Sequence, residues 1–172
     1  FKGWNLENSR IMGAELSLYG NGKIRNIPVS LMAGYTYMYP VDLNAADTAG
    51  GNSSDFLKYR YQHSMKSDAE VRYWRFALGC TLIYNRRMER IDDVSTVNTV
   101  PPVGNLILPG FPGYWEENNT GYAVLDARVL CNITSFISAG LIVKNVLNKE
   151  YMGRPGDIQP PRNITLRLTA EF

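Results

Sequence analysis

The last nine residues, Ile164-Thr165-Leu166-Arg167-Leu168-Thr169-Ala170-Glu171-Phe172, alternate between apolar and polar without a break. Successive side chains of a β-strand point to opposite sides of the sheet. Ile164, Leu166, Leu168, Ala170 and Phe172 therefore share one oily face, and Thr165, Arg167, Thr169 and Glu171 share the other. A slip of one residue would turn Arg167 and Glu171 into the oil, so the pattern fixes the register as well as the strand. A helix cannot satisfy this period.

The same grammar runs through the chain. Ile27, Val29, Leu31, Ala33, Tyr35, Tyr37 and Tyr39 oppose Ser30, Met32, Gly34, Thr36 and Met38. Met65, Ala69, Val71 and Tyr73 oppose Lys66, Asp68, Glu70 and Arg72. Phe76, Leu78, Cys80, Leu82 and Tyr84 oppose Ala77, Gly79, Thr81, Ile83 and Asn85, and Ala123, Leu125, Ala127, Val129, Cys131 and Ile133 oppose Asp126, Arg128, Leu130 and Asn132. Weaker versions occupy 10–20, where Met12, Ala14, Leu16 and Leu18 oppose Glu15 and Ser17, and 136–147. About seven strands follow, near 10–20, 26–39, 58–74, 75–90, 121–133, 136–147 and 162–172.

Their connections alternate in length. Gly20-Asn21-Gly22, Tyr73-Trp74-Arg75 and Asn132-Ile133-Thr134-Ser135 are short turns, whereas 41–57, 91–120 and 148–161 are long and rich in Gly, Pro, Asn and Asp. Short turns on one side and long loops on the other is the build of an outer-membrane barrel, with the long loops outside the cell. A soluble sandwich has no cause to sort its loops in this way. No run of about twenty apolar residues exists for a helical span. A membrane strand needs only about ten residues, every second one apolar.

Aromatic placement points the same way. Tyr19, Tyr73, Phe76 and Phe172 lie by the short turns, and Tyr37, Tyr39 and Tyr84 lie towards the long loops. Ordinary strand enrichment gives many aromatics, but two belts are what two membrane interfaces favour. Arg86 follows the lipid phase. It should emerge at the outer interface, near lipid phosphates, where its cost falls to about 0–1 kcal/mol. The inward charges are Glu15, Lys66, Asp68, Glu70, Arg72, Asp126, Arg128, Lys144, Arg167 and Glu171. An eight-stranded barrel, with Phe1 to Glu7 as the extra strand, could hold them only as a tightly paired network. A wide lumen, watered or filled by a polar plug, accommodates them more readily.

Several stretches resemble TonB-dependent outer-membrane receptors. Gly121-Tyr122-Ala123-Val124-Leu125-Asp126-Ala127-Arg128 is similar to the last-but-two strand of that family. Leu141-Ile142-Val143-Lys144-Asn145-Val146-Leu147-Asn148-Lys149-Glu150-Tyr151 resembles its Asn-Leu-Phe-Asn-Lys-Glu-Tyr pattern, with Leu147 where Phe is usual. Gly13-Ala14-Glu15-Leu16 and Leu57-Lys58-Tyr59-Arg60-Tyr61-Gln62-His63 look like two further family strands, Tyr61 standing where proline is common. The resemblance implies an all-β, antiparallel transmembrane β-barrel of which residues 1–172 are about the last seven of 22 strands. Signal peptide, plug domain and earlier strands would then lie outside this chain.

The same resemblance implies a receptor in the outer membrane of a Gram-negative bacterium. It would bind a scarce nutrient (siderophore, vitamin, peptide or glycan) at its extracellular loops and import it with TonB-coupled energy. Expected partners are outer-membrane lipid and lipopolysaccharide, the plug and remaining strands, and TonB through an N-terminal region not included here. The barrel-assembly machinery, reading a signal that ends at Phe172, and a surface lipoprotein complete the set. Glu15, Glu70, Arg72, Asp126, Arg128, Arg167 and Glu171 would face the lumen or plug. Tyr114 and Trp115, flanked by Glu116 and Glu117, would contact ligand as rigid stacking groups, unless 109–114 only packs the loop on itself.

A smaller passive barrel, porin-like or a structural anchor, is the alternative. An enzyme is not expected, since His63 is the sole imidazole and falls on the lipid phase. Cys80 and Cys131 read as small apolar residues, with a disulfide between them as the other option. Neither has a companion at metal-binding spacing, so no metal or cofactor is expected. A net charge of +2 offers no basic face for nucleic acid.

Overall fold

A computed structural model describes residues 8–43, 56–91 and 110–171. Seven strands appear in chain order: β1 (Ser9–Ile24), β2 (Ile27–Asp42), β3 (His63–Tyr73), β4 (Phe76–Asn85), β5 (Tyr122–Asn132), β6 (Ile137–Lys144) and β7 (Asn163–Ala170). Each pairs antiparallel with the next, giving one all-β meander in the order β1-β2-β3-β4-β5-β6-β7. Among the described residues, β1 and β7 are paired on one side only.

The register joins the alternations into rows that cross the sheet. Val29, Val71, Leu78, Val129, Leu141 and Leu166 stand opposite one another in succession. One residue along, the row reads Ser30, Glu70, Gly79, Arg128, Ile142 and Thr165. Odd and even faces thus stay separate across every strand boundary, as the sequence pattern requires.

The oily face is bare. Leu16, Leu166 and Leu168 are 70%, 80% and 73% exposed. The buried apolar residues among those described, Val41, Leu57, Met88, Ile91 and Val124, gather instead under the long loops at one end. A water-soluble sheet of this size buries one face against another layer. This sheet carries its core at a rim, and no second layer among the described residues covers its broad apolar side. No helix among the described residues is long and apolar enough to cross a membrane, which says nothing of strands.

Four expectations need correction. The first hairpin turns at Arg25-Asn26, not at Gly20-Asn21-Gly22. Both turn residues have positive φ, 48° and 68°, as a two-residue primed turn demands to match strand twist. The glycines remain within β1, with open space where a Cβ would sit. Tyr19, next to Leu18 and out of phase with it, faces the polar side opposite Met32, where its hydroxyl accepts from Asn21 Nδ2 at 2.6 Å, and it leaves the aromatic belt. Next, β3 starts at His63 rather than 58 and β4 stops at Asn85 rather than 90. Beyond them the two segments diverge into loops that stay joined by a Tyr61–Met88 bridge and by Tyr59 N–H donating to Arg90 O.

Finally, the segment read as irregular loop contains a helix, α1 (Phe111–Asn118). Pro112 suits a first helical turn because its fixed φ is already helical and its missing N–H would be unpaired there anyway. Eight residues with two glycine-and-proline breaks leave too little periodicity to read. Phe172 and Phe1 to Glu7, the expected assembly signal and optional eighth strand, lie outside the described residues.

Candidate functional site

The long-loop rim gathers side chains from three connections. Its floor begins with β6 and the loop after it. Asn145 is 3% exposed, and its carboxamide accepts from Lys149 N–H at 2.9 Å while donating to Lys149 O at 2.8 Å. Its own N–H donates to Asp126 Oδ1 at 2.8 Å. Asn148 Oδ1 accepts from Arg162 N–H at 2.8 Å. Both asparagines have positive φ, 51° and 50°, a conformation Asn tolerates better than other side chains. The Asn145-Val146-Leu147-Asn148 motif is therefore a staple that closes the loop and aims it.

Tyrosines bind this loop to its neighbours. Tyr61 donates to Gly153 O at 3.0 Å, and its ring meets Tyr122 edge-on at 6.0 Å. Tyr122 lies 4.6 Å from Tyr151, and its hydroxyl accepts from Asn85 Nδ2 at 2.8 Å. Burial and the neighbouring Tyr122 hydroxyl push the Tyr61 phenol well above its ordinary range, and burial raises Tyr151 too. Tyr61 occupies the position where the resembled pattern has proline, and here it ties the loop after β6 to the approach of β3.

Above this floor lies α1. Phe111 stacks on Tyr114 and Trp115 at 6.5 and 5.8 Å. The Tyr114 hydroxyl donates to Glu150, which raises the phenol's pKa. Asn119 accepts from Met88 N–H at 3.0 Å and donates to Met88 O at 2.7 Å, a side-chain amide pairing like a strand. Between helix and floor is a cleft of about 30 Å³, the space of about one water, lined among others by Tyr61, Met88, Trp115 and Tyr151. Tyr114 and Trp115 thus stand together at the rim. A nutrient-sized ligand does not fit the cleft as it stands.

The opposite, charged side of the sheet holds a second cluster. Arg128 on β5 reaches across β4 to β3, its two Nη atoms 2.6 and 2.8 Å from the Asp68 oxygens and 3.0 Å from Glu70. Gly79 leaves this path clear: a Cβ there would lie 2.5 Å from the guanidinium, and the arginine would have to shift. Thr81 donates to Asp68 at 2.5 Å and Arg72 bonds Glu70 at 2.8 Å.

The structure brings Glu70, Arg72 and Arg128 into one network and gives Asp126 to the Asn145 staple. Glu15 lies on the same face of β1, opposite Thr36, and Arg167 lies opposite Gly140 with Thr169 at 3.3 Å. Glu171 follows the end of β7, its N–H bonded to Phe136 O. Arg86 sits past the end of β4 and directs its guanidinium to Gln62 at 3.2 Å and Glu89 at 3.9 Å.

Other chemistry is sparse among the described residues. No group of three potential metal ligands occurs. His63 Nδ1 is 2.7 Å from the Tyr35 hydroxyl on the oily face. Cys80 and Cys131 are free thiols, opposite Ala127 and Phe76. Sequence reading missed Asn119, Asn145 and Gly79. The paired asparagines of 145–148 were the available clue for the staple; Gly79 becomes visible only once the register sets it opposite Arg128.

Asn145→Ala is expected to loosen the loop without unfolding the sheet. It removes the Asn145 side-chain bonds to the Lys149 N–H and O, which are part-buried, a loss of about 1 kcal/mol. Tryptic cleavage after Lys149 on intact cells should quicken at least about five-fold. An unchanged rate would refute the staple.

No protein-family model matches the chain, and no curated protein matches it. Among solved structures it is similar to the ferric-catecholate import receptor Fiu of E. coli K12 in its closed form. The identity is 18% and the TM-score 0.66, over 95% of this chain and 21% of that one. At that identity the likeness is one of fold: a run of antiparallel barrel strands. The chain spans about a fifth of the length of the receptor it matches.

Proposed function

We propose that this chain is a stretch of the wall of a TonB-dependent outer-membrane receptor, its C-terminal portion, in a Gram-negative bacterium. The observation that carries the reading is a bare apolar face kept in register across the seven strands, opposite a mixed face that holds the sheet's inward charges, with short turns at one rim and long loops at the other. Lipid covers the first face, and unpaired backbone at the edges of a membrane sheet must be completed by further strands. The fold likeness to an import receptor supports the same conclusion. The complete protein takes a scarce nutrient at its long-loop rim and moves it inward with TonB-coupled energy. A metal chelate comes first among the ligand classes, since the similar structure imports a ferric catecholate.

In this reading Glu15, Lys144 and Arg167 face a plug domain, and Tyr114 and Trp115 belong to the ligand-facing rim. TonB, the barrel-assembly machinery, lipopolysaccharide and a surface lipoprotein are its partners. The test is uptake. Deleting the gene should abolish accumulation of one labelled ferric chelate, vitamin, peptide or glycan, and deleting TonB should abolish the same accumulation. Accumulation that persists without TonB identifies a passive barrel and overturns the import reading.

A further inference from the structure

We infer that α1 is a hinged cover, latched shut over a rigid tyrosine floor and able to swing out about Gly110 and Gly121. The inference deepens the ligand-facing reading of the long-loop rim and rests on it for its biological meaning. Its physical case rests on the unequal way the two halves of the cleft are held.

The floor is fixed from several sides. Asn145 is buried and bonded on every side, Tyr61 ties the loop to the approach of β3, and Tyr122 is pinned by Asn85. Breaking any one of these leaves the others in place. The cover has no such depth. None of the residues of α1 is buried, its N-cap makes no side-chain hydrogen bond, and neither end carries a charge that complements the helix dipole. Eight residues are too few for a helix to persist without tertiary support.

Among the described residues, the hydrogen bonds that hold the segment to other loops form two discrete latches. One is the Tyr114 hydroxyl on Glu150, and the other is the Asn119 amide on the Met88 backbone. Gly110 and Gly121 bracket the segment at φ 79° and 85°, positions where a backbone can rotate without a side chain in the way. Gly121 also packs against the top of β4, where an added Cβ would meet Asn85 O at 2.8 Å, so the pivot is seated on the sheet. In the shut state the cleft holds about one water; opening exposes Tyr61, Tyr122 and Tyr151 as one surface.

Hydrogen exchange on the whole protein in lipid nanodiscs tests this. Amides of 111–118 should exchange at least about ten-fold faster than those of 146–159. Tyr114→Phe keeps the ring and removes the latch. It should speed exchange in α1 about five-fold and leave the floor within about two-fold. Asn119→Ala should act on α1 in the same direction. Cover and floor exchanging together, or a Tyr114→Phe protein that matches wild type, overturns the cover. The expected exchange pattern in a protein that imports nothing under TonB control supports the cover and removes the import reading, so the two failures are distinct.

Discussion

Leu18→Arg should reduce the folded, inserted protein at least about thirty-fold, whereas Ser17→Arg, one residue earlier, should leave it near wild type. The two positions are neighbours on β1 and receive the same side chain. Leu18 stands opposite Ala33 on the apolar face and is 57% exposed, so little protein packing is lost with it. Ser17 stands opposite Gly34 on the charged face, with room for a long side chain. An arginine near the middle of a lipid-facing strand costs about 2–4 kcal/mol, and on the lumen side almost nothing. If water bathed both faces, both substitutions would be mild. The measurement is the amount of each variant in purified outer membranes. Equal yields of the two would remove the membrane from the account.

That contrast also marks what could be read without a structure. Period-two alternation is set by backbone geometry and needs no partner to be visible, so the faces of β2, β3, β5 and β7 were legible residue by residue. The outward order of the strands followed from the short turns. What escaped depends on dihedral preference or on contact across strands. Glycines look like turns, yet Arg25-Asn26 makes the tighter primed turn. Tyr19 looks like a belt residue, although its alternation with Leu18 already sets it on the polar face. Tyr114 and Trp115 were identifiable as aromatics of the longest loop, but the helix that presents them is held by Asn119 and Glu150, which lie in different loops. Asp126 looked like one more inward charge. Its place beside Asn145 N–H depends on where β6 ends, and no local pattern states that.

Gly79→Val should destabilise the folded sheet by about 2 kcal/mol, and the loss should shrink when Arg128→Ala is added. The argument begins with space. Gly79 stands directly opposite Arg128 on β5 and opposite Glu70 on β3, and in its observed place the arginine passes over this residue without a side chain. A Cβ would intrude to 2.5 Å of the guanidinium carbon. Displacing it strips Asp68 of a two-pronged partner and Glu70 of one of its two cations. These groups are only partly exposed, at 26% and 14% for the two carboxylates, so water recovers part of the loss and not all of it. With Arg128 already truncated the carboxylates are bare in either background, and the valine has nothing left to expel. The second substitution therefore costs less in the Gly79→Val protein than in wild type. Chemical denaturation of the four proteins in detergent measures the coupling. Additive losses would mean that Gly79 serves the backbone alone and that the crossing of Arg128 does not need it.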